Sequence, residues 1–463
     1  MSQSTLQTFS VSNPATGEVI ENLPADDPHS VLRKAGLARE AQPQWGARPL
    51  AARLEVLRRF GELIKENLDV LAQTTTRETG KPISQSRNEV KGLDNRLHFF
   101  LEQTERTIAA QILHEEPGLQ EQLSWEPLGV VANISAWNYP YFVGSNVFVP
   151  ALLTGNAVLY KPSEHASLTG MAIADLLWQA GVPRGALQVV LGGGAVGAAV
   201  VDSPINAMFF TGSYATGLRV AAAAARRLVK TQLELGGKDP VYVMEDVDVA
   251  AAAAATADGA FYNAGQSCCA IERLYVHQDI YESFLNHFIT AVDGFVVGDP
   301  NDEGTYIGPL TREAQIQVLE EQVKDAQTKG AHVRRGGGRI DRPGVYFAPT
   351  VVSDTNHSMM LMKEESFGPI IGLQKVASDE EAWRLMNDTA YGLTAGVYGR
   401  DRARAEAVLS KMNTGTVYWN CCDRVSPRLP WSGRGHSGLG STLSTLGITA
   451  FVQPKAWHLK PQR

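Results

Sequence analysis

Residues 129–164 read GVVANISAWNYPYFVGSNVFVPALLTGNAVLYKPSE. Val130–Ile134 and Ala157–Tyr160 are short aliphatic strand candidates, Phe148–Thr154 has helical composition, and Gly and Pro punctuate the joins. The alternation continues with helices expected at 169–180, 197–201 and 216–228, and strands at 188–191 and 207–210. Strands alternating with helices specify an α/β chain with a parallel, doubly wound sheet. Such sheets bind cofactors outside the carboxyl ends of their strands.

A second alternating run extends from Pro240 to about Asn420. Val241–Val243, Leu274–Val276 and Gly396–Tyr398 are its strand candidates, and 248–262 and 312–329 its helices, so a second α/β lobe is expected. Upstream, Asn13–Asn22 reads as a hairpin. Leucines and Ile64 at helical spacing predict one long helix from Leu50 to Thr79, stopped by Gly80 and Pro82. Glu89–Arg106 predicts an amphipathic helix, and 114–131 strand material.

A chain of 463 residues is too long for one compact core, so two or three lobes are expected. The net charge of -7 argues against a nucleic-acid or anionic-membrane partner. Tyr141–Leu153 is too short and too interrupted to span a bilayer, and the polar N-terminus carries no secretory pattern. The cysteines fall as adjacent pairs, Cys268-Cys269 and Cys421-Cys422. That arrangement suits a reducing cytoplasm rather than a disulfide framework. No histidines flank the pairs at zinc spacing, so no metal is expected.

Three segments carry chemistry. FYNAGQSCCAIER (261–273) brings Cys268 up behind Gly265 and Gln266, LELGGK (233–238) sets Glu234 beside two glycines, and AWNYP (136–140) offers the Asn138 amide in an aromatic turn. A thiol, a carboxylate and an amide donor are the nucleophile, base and oxyanion donor of acyl-transfer chemistry. Gly192, Gly194 and Gly197 spell a dinucleotide fingerprint, but no acid follows about 20 residues on, as a ribose partner would require. The turn at Gly212-Ser213, opening a helix, is the better phosphate site.

Together these segments resemble the NAD(P)-dependent aldehyde dehydrogenase superfamily. AWNYP, KPSE (161–164), FTGS (210–213), LELGGK, NAGQSCC, EESFGP (364–369) and PWSGRGHSG (430–438) occur in the family's order over nearly the whole chain. The resemblance implies a cofactor domain over 1–113 and 132–235 and a catalytic domain over 236–422. It further implies a bridging β element over 114–131 and 441–463 that builds a homodimer or homotetramer, with 423–440 returning to the substrate mouth.

Cys268 falls on the family's nucleophile, Glu234 on its base and Asn138 on its oxyanion hole. Lys161 and Glu164 fall on the adenosine-ribose contacts, Ser213 with Gly212 on the pyrophosphate, and Glu365 and Phe367 on the nicotinamide side. Trp137, Gly194, Gly197 and Leu235 complete the expected cofactor lining, and Tyr139, Tyr262 and Trp431 (with Tyr141) the aldehyde entrance. The implied cofactor is NAD, with NADP possible: Glu164 would accept a bond from a free 2′-hydroxyl and repel a 2′-phosphate.

Ser432 and Thr442 stand where family members usually carry Gly and Glu, which puts the weight on Glu234 as base. Asn146 and Tyr262 stand where succinate-semialdehyde relatives carry carboxylate-binding arginines, although Arg424 and Arg428 lie near the mouth. An uncharged aliphatic or aromatic aldehyde is therefore the expected substrate, with a semialdehyde as the alternative. Glu234 argues against an acylating enzyme that uses coenzyme A, and the intact site argues against a non-catalytic scaffold.

Overall fold

The computed structural model describes residues 7–461. The outermost ends of the domains expected over 1–113 and 441–463, and the first six residues of the polar N-terminus, lie outside the described residues.

The first sheet has six strands, in the order 438–439, 230–234, 207–211, 130–134, 157–161 and 187–189. Every pairing is parallel except that of Gly438-Leu439 with Leu233-Glu234. Val130–Ile134 and Ala157–Lys161 are buried at every position, as strands covered by helices on both faces must be. From Val130–Ile134 the chain winds outward to Leu187–Val189, then returns to Ala207–Thr211 on the other side. This reversal opens a crevice at the carboxyl ends of Val130–Ile134 and Ala207–Thr211. Trp137-Asn138 and Gly212-Ser213 follow these two strands directly.

The second sheet has seven strands, in the order 332–335, 350–353, 370–376, 273–277, 240–243, 394–398 and 416–419. It is parallel except for its first edge strand. A separate three-stranded antiparallel sheet joins Gln111–Glu116, Leu119–Pro127 and Val452–Leu459. No helix among the described residues is long and apolar enough to cross a membrane.

The upstream helices differ from expectation. The helix expected over 50–79 is two, Leu50–Glu66 and Leu68–Thr79. Asn67 leaves helical geometry at the join (φ -109°, ψ 14°), and its Nδ2 donates to the Leu63 carbonyl at 2.8 Å. An additional helix, Pro28–Gly46, is started by a capping box between Asp27 and Ser30 with Pro28 in its first turn. The helix expected from Glu89 begins at Ile83, and the one expected from Phe148 begins at Pro140. In both cases a proline sets the start.

Candidate active site

Helix Val249–Phe261 runs into a turn wound in the left-handed sense: φ is 54° at Asn263, 53° at Ala264 and 70° at Gly265. Each such non-glycine residue costs roughly 1–2 kcal/mol, so neighbouring contacts must hold the turn. Gln85 Oε1 accepts from Asn263 N–H at 2.9 Å, and Asn263 Nδ2 donates to the Gln266 carbonyl at 3.1 Å and the Asn138 carbonyl at 3.3 Å. Gln266 is pinned in turn by Thr311 N–H, 2.9 Å from its Oε1. A side chain at position 265 would run into the Gly368 carbonyl. The turn delivers Cys268 half-buried into a cavity of about 1500 Å³, with Cys269 buried behind it.

Asn138 is 5% exposed, and its Nδ2 donates to the Gln266 carbonyl at 3.1 Å, which places the amide against the segment that carries Cys268. Glu234 ends its strand and also lines the cavity. Beyond it, a Cβ at Gly237 would overlap the Cys268 carbonyl, so the two segments meet backbone to backbone. Thr442 Oγ1 and Gln232 Nε2 (3.3 Å) both donate to Oε1 of Glu234. Burial pushes the Glu234 carboxyl upward, while the Thr442 hydroxyl and the Arg96 charge pull it back.

Trp137, Gly212, Ser213, Leu235, Glu365 and Phe367 line the same cavity. The Trp137 and Phe367 rings meet edge to face at 5.6 Å. Phe367 holds a positive φ of 47°, and its N–H donates to Glu272 at 2.9 Å. Burial and the nearby Glu272 hold the Glu365 carboxyl up at about 8, and its Oε1 accepts from Gly237 N–H at 3.0 Å. The Ser213 hydroxyl donates to Thr216 Oγ1 at 3.2 Å and does not cap the backbone of helix Tyr214–Ala225, which leaves first-turn N–H groups toward the crevice.

Lys161, Glu164, Gly194 and Gly197 lie outside this cavity and form a neighbouring cluster. Lys161 Nζ stands 3.8 Å from Glu164 Oε2, and Gly197 leaves room for the Lys161 stem. His165, next to Glu164, packs on Trp137 at 6.4 Å, which links the two groups. A strand-end crevice with unpaired helix N–H groups, flanking aromatic rings and a carboxylate at either end has the donors and shape that a dinucleotide requires.

The Aldehyde dehydrogenase family model matches residues 1–457. The chain belongs to the aldehyde dehydrogenase family. Its class is therefore that of the NAD(P)-dependent oxidoreductases acting on aldehydes. It is 36% identical to the 3,6-anhydro-alpha-L-galactose dehydrogenase of Streptomyces coelicolor, over 98% of this chain and 93% of the relative. It is 35% identical to a succinate-semialdehyde dehydrogenase [NADP(+)] of Deinococcus radiodurans, over 98% and 95%. The solved structure of an E. coli NADP dependent enzyme superposes with a TM-score of 0.96 at 32% identity, covering 98% of this chain and 95% of that one.

Within this aldehyde dehydrogenase, Tyr139, Tyr262 and Trp431 line the cavity. Tyr139 stacks on Phe142 at 6.0 Å, with Lys81 Nζ 3.9 Å from its ring centre, and Trp431 is held by backbone pairing to Thr442. Tyr141 is absent from the entrance. It is wholly buried and donates to the Leu71 carbonyl at 2.9 Å, because it lies on the core-facing side of helix Pro140–Leu153.

Three residues to which the sequence assigned no part in the site reach the cavity or Glu234. Thr442 is the hydroxyl on Glu234. Arg96 lines the wall, 5% exposed. Asp423 accepts from the Cys269 thiol at 2.9 Å, and removal from water raises its carboxyl to about 6. That neighbourhood holds the Cys269 thiol well above its ordinary range, the Cys268 thiol contributing most. Only the anomalous Glu-to-Thr exchange at 442 offered a signal in the sequence.

Proposed function

We propose that this chain oxidises an aldehyde to the carboxylic acid by covalent catalysis at Cys268, with NAD as the preferred cofactor. The observation that carries this is the convergence of Cys268, Asn138 and Glu234, from separate segments, on one cavity that continues into the strand-end crevice. The Cys268 thiolate adds to the aldehyde carbon, and the carbonyl electron pair moves to oxygen. Asn138 Nδ2 and the Cys268 N–H hold that oxyanion, where one such donor is typically worth about 3–4 kcal/mol. Trp137, Ser213, Glu365 and Phe367 would hold the dinucleotide, which would supply the acceptor for the hydride leaving that carbon. Glu234 then takes a proton from water, the water oxygen bonds to the acyl carbon and the C–S bond breaks. Aldehyde, water and NAD+ become carboxylate, NADH and two protons (the balance includes ionisation of the acid).

Both Glu234 hydrogen bonds fall on Oε1, which leaves Oε2 for the water. This supports hydrolysis over transfer to coenzyme A. A product assay with and without coenzyme A tests it: the free acid is expected in both, and an acyl-thioester product would overturn the reading. Glu164, paired with Lys161 at 3.8 Å, supports NAD over NADP. The three-stranded sheet leaves two edges open, which supports a homodimer or homotetramer. Free cysteines throughout the described residues support a reducing, cytoplasmic setting.

A further inference from the structure

Arg96 projects from helix Ile83–Thr107 into the wall of the cavity that holds Cys268. Its guanidinium lies over the Phe142 ring, 4.0 Å from the centroid, and Nη1 donates to Asn146 Oδ1 at 2.7 Å. A guanidinium carries five N–H donors. This amide is its one hydrogen-bond partner among the described residues, and no carboxylate lies within 4.0 Å of it. Burial pushes the group down to about 10, which leaves it charged at neutral pH. A buried guanidinium with most of its donors unbonded is expensive, and a planar carboxylate matches such donors with two parallel bonds.

Three acids of the cavity wall hold partners other than Arg96. Glu89 is ion-paired to Lys81 and accepts from Tyr141 N–H at 2.9 Å. Asp258 accepts from the Tyr306 hydroxyl at 2.6 Å, and Asp423 from the Cys269 thiol at 2.9 Å. Glu234 and Glu89 act on Arg96 only through space, so among the described residues its remaining N–H donors have no carboxylate bonded to them. Arg424 and Arg428, exposed at the mouth, add attraction for an incoming anion.

We propose that Arg96 is an anion subsite of the aldehyde pocket, oriented by Asn146 and Phe142, and that the substrate is a short aldehyde bearing a carboxylate. This rests on the oxidation reading above and departs from the uncharged aldehyde that Asn146 suggested. Position 146 has no positive side chain of its own, but it receives one from the neighbouring helix.

The test compares kcat/KM for an ω-carboxy aldehyde and for the uncharged aldehyde of equal chain length, in wild type, Arg96→Gln and Arg96→Lys. Wild type is expected to favour the carboxylated aldehyde, and that ratio to fall on the order of 100-fold in Arg96→Gln. Arg96→Lys should recover part of it, keeping the charge without the planar fork. An equal fall for both aldehydes in Arg96→Gln overturns the subsite. So does a wild-type preference for the uncharged compound, a result that needs no variant to fold. NADH from uncharged aldehydes alone leaves the oxidation reading standing, whereas NADH from no aldehyde overturns both.

Discussion

The two large sheets share one winding pattern but face the site with opposite edges. Asn138, Gly212, Ser213 and Glu234 lie at the carboxyl ends of strands in the six-stranded sheet. Cys268, Glu365 and Phe367 precede the strands Arg273–His277 and Ile370–Val376, and so lie at the amino edge of the seven-stranded sheet. The first sheet obeys the rule that open α/β sheets bind ligands at carboxyl ends. The second serves as a rigid backing from which loops reach across. Lys238, Glu272 and Ser366 clamp those loops to each other, with Lys238 Nζ 2.5 Å from Glu272 and 3.0 Å from Ser366. The lesson is that the rule locates the crevice proposed for the cofactor, whereas Cys268, the proposed nucleophile, comes from the sheet the rule does not describe.

The comparison breaks most sharply at Cys268. Cys268→Ser is expected to remove NADH production by about 10⁴-fold or more, as loss of a covalent nucleophile does, and a steady-state assay reads it. Normal turnover would strip the seven-stranded sheet of its assigned part. Glu234→Gln, from the other edge, should keep a first-turnover burst of NADH while steady-state turnover falls about 10²–10⁴-fold. A rapid-mixing trace that reaches the wild-type steady state would assign the second step to another base.

Thr442→Val sharpens the same edge. The hydroxyl lowers the Glu234 carboxyl against its burial, so its loss should raise that pKa and keep the base protonated to higher pH. The acid limb of the kcat profile is expected to move toward alkaline pH, with Thr442→Ser leaving it near the wild-type position. An unmoved limb would make Thr442 a packing residue only. The smallest effect belongs to Glu164→Gln. The ratio of NAD to NADP turnover should fall by roughly tenfold as repulsion of a 2′-phosphate is removed, and an unchanged ratio would detach Glu164 from cofactor choice.

Much of this geometry was legible in the sequence, because the six-stranded sheet puts its chemistry immediately after its strands. Asn138 and Ser213 could be placed once Val130–Ile134 and Ala207–Phe210 had been read as strands. The break at Asn67 was not legible, since leucine spacing continues across it and only the amide's bond to the Leu63 carbonyl ends the first helix. Arg96 was hidden by its neighbours: in LDNRLH it looks like part of a solvated helical face. Its burial depends on helix Pro140–Leu153, which packs against it from fifty residues downstream. Thr442 was visible only as a missing acid, and its hydroxyl's use by Glu234 follows from the strand pairing of Gly438-Leu439 with Leu233-Glu234.

The turn at Asn263–Gly265 has a consequence for how the enzyme ages on heating. A segment coiled against the handedness of its own amino acids keeps that shape only while Gln85, Thr311 and Asn138 grip it from outside. Warming should loosen that grip before either sheet melts, so catalytic output should fade several degrees below the calorimetric transition and return on prompt cooling.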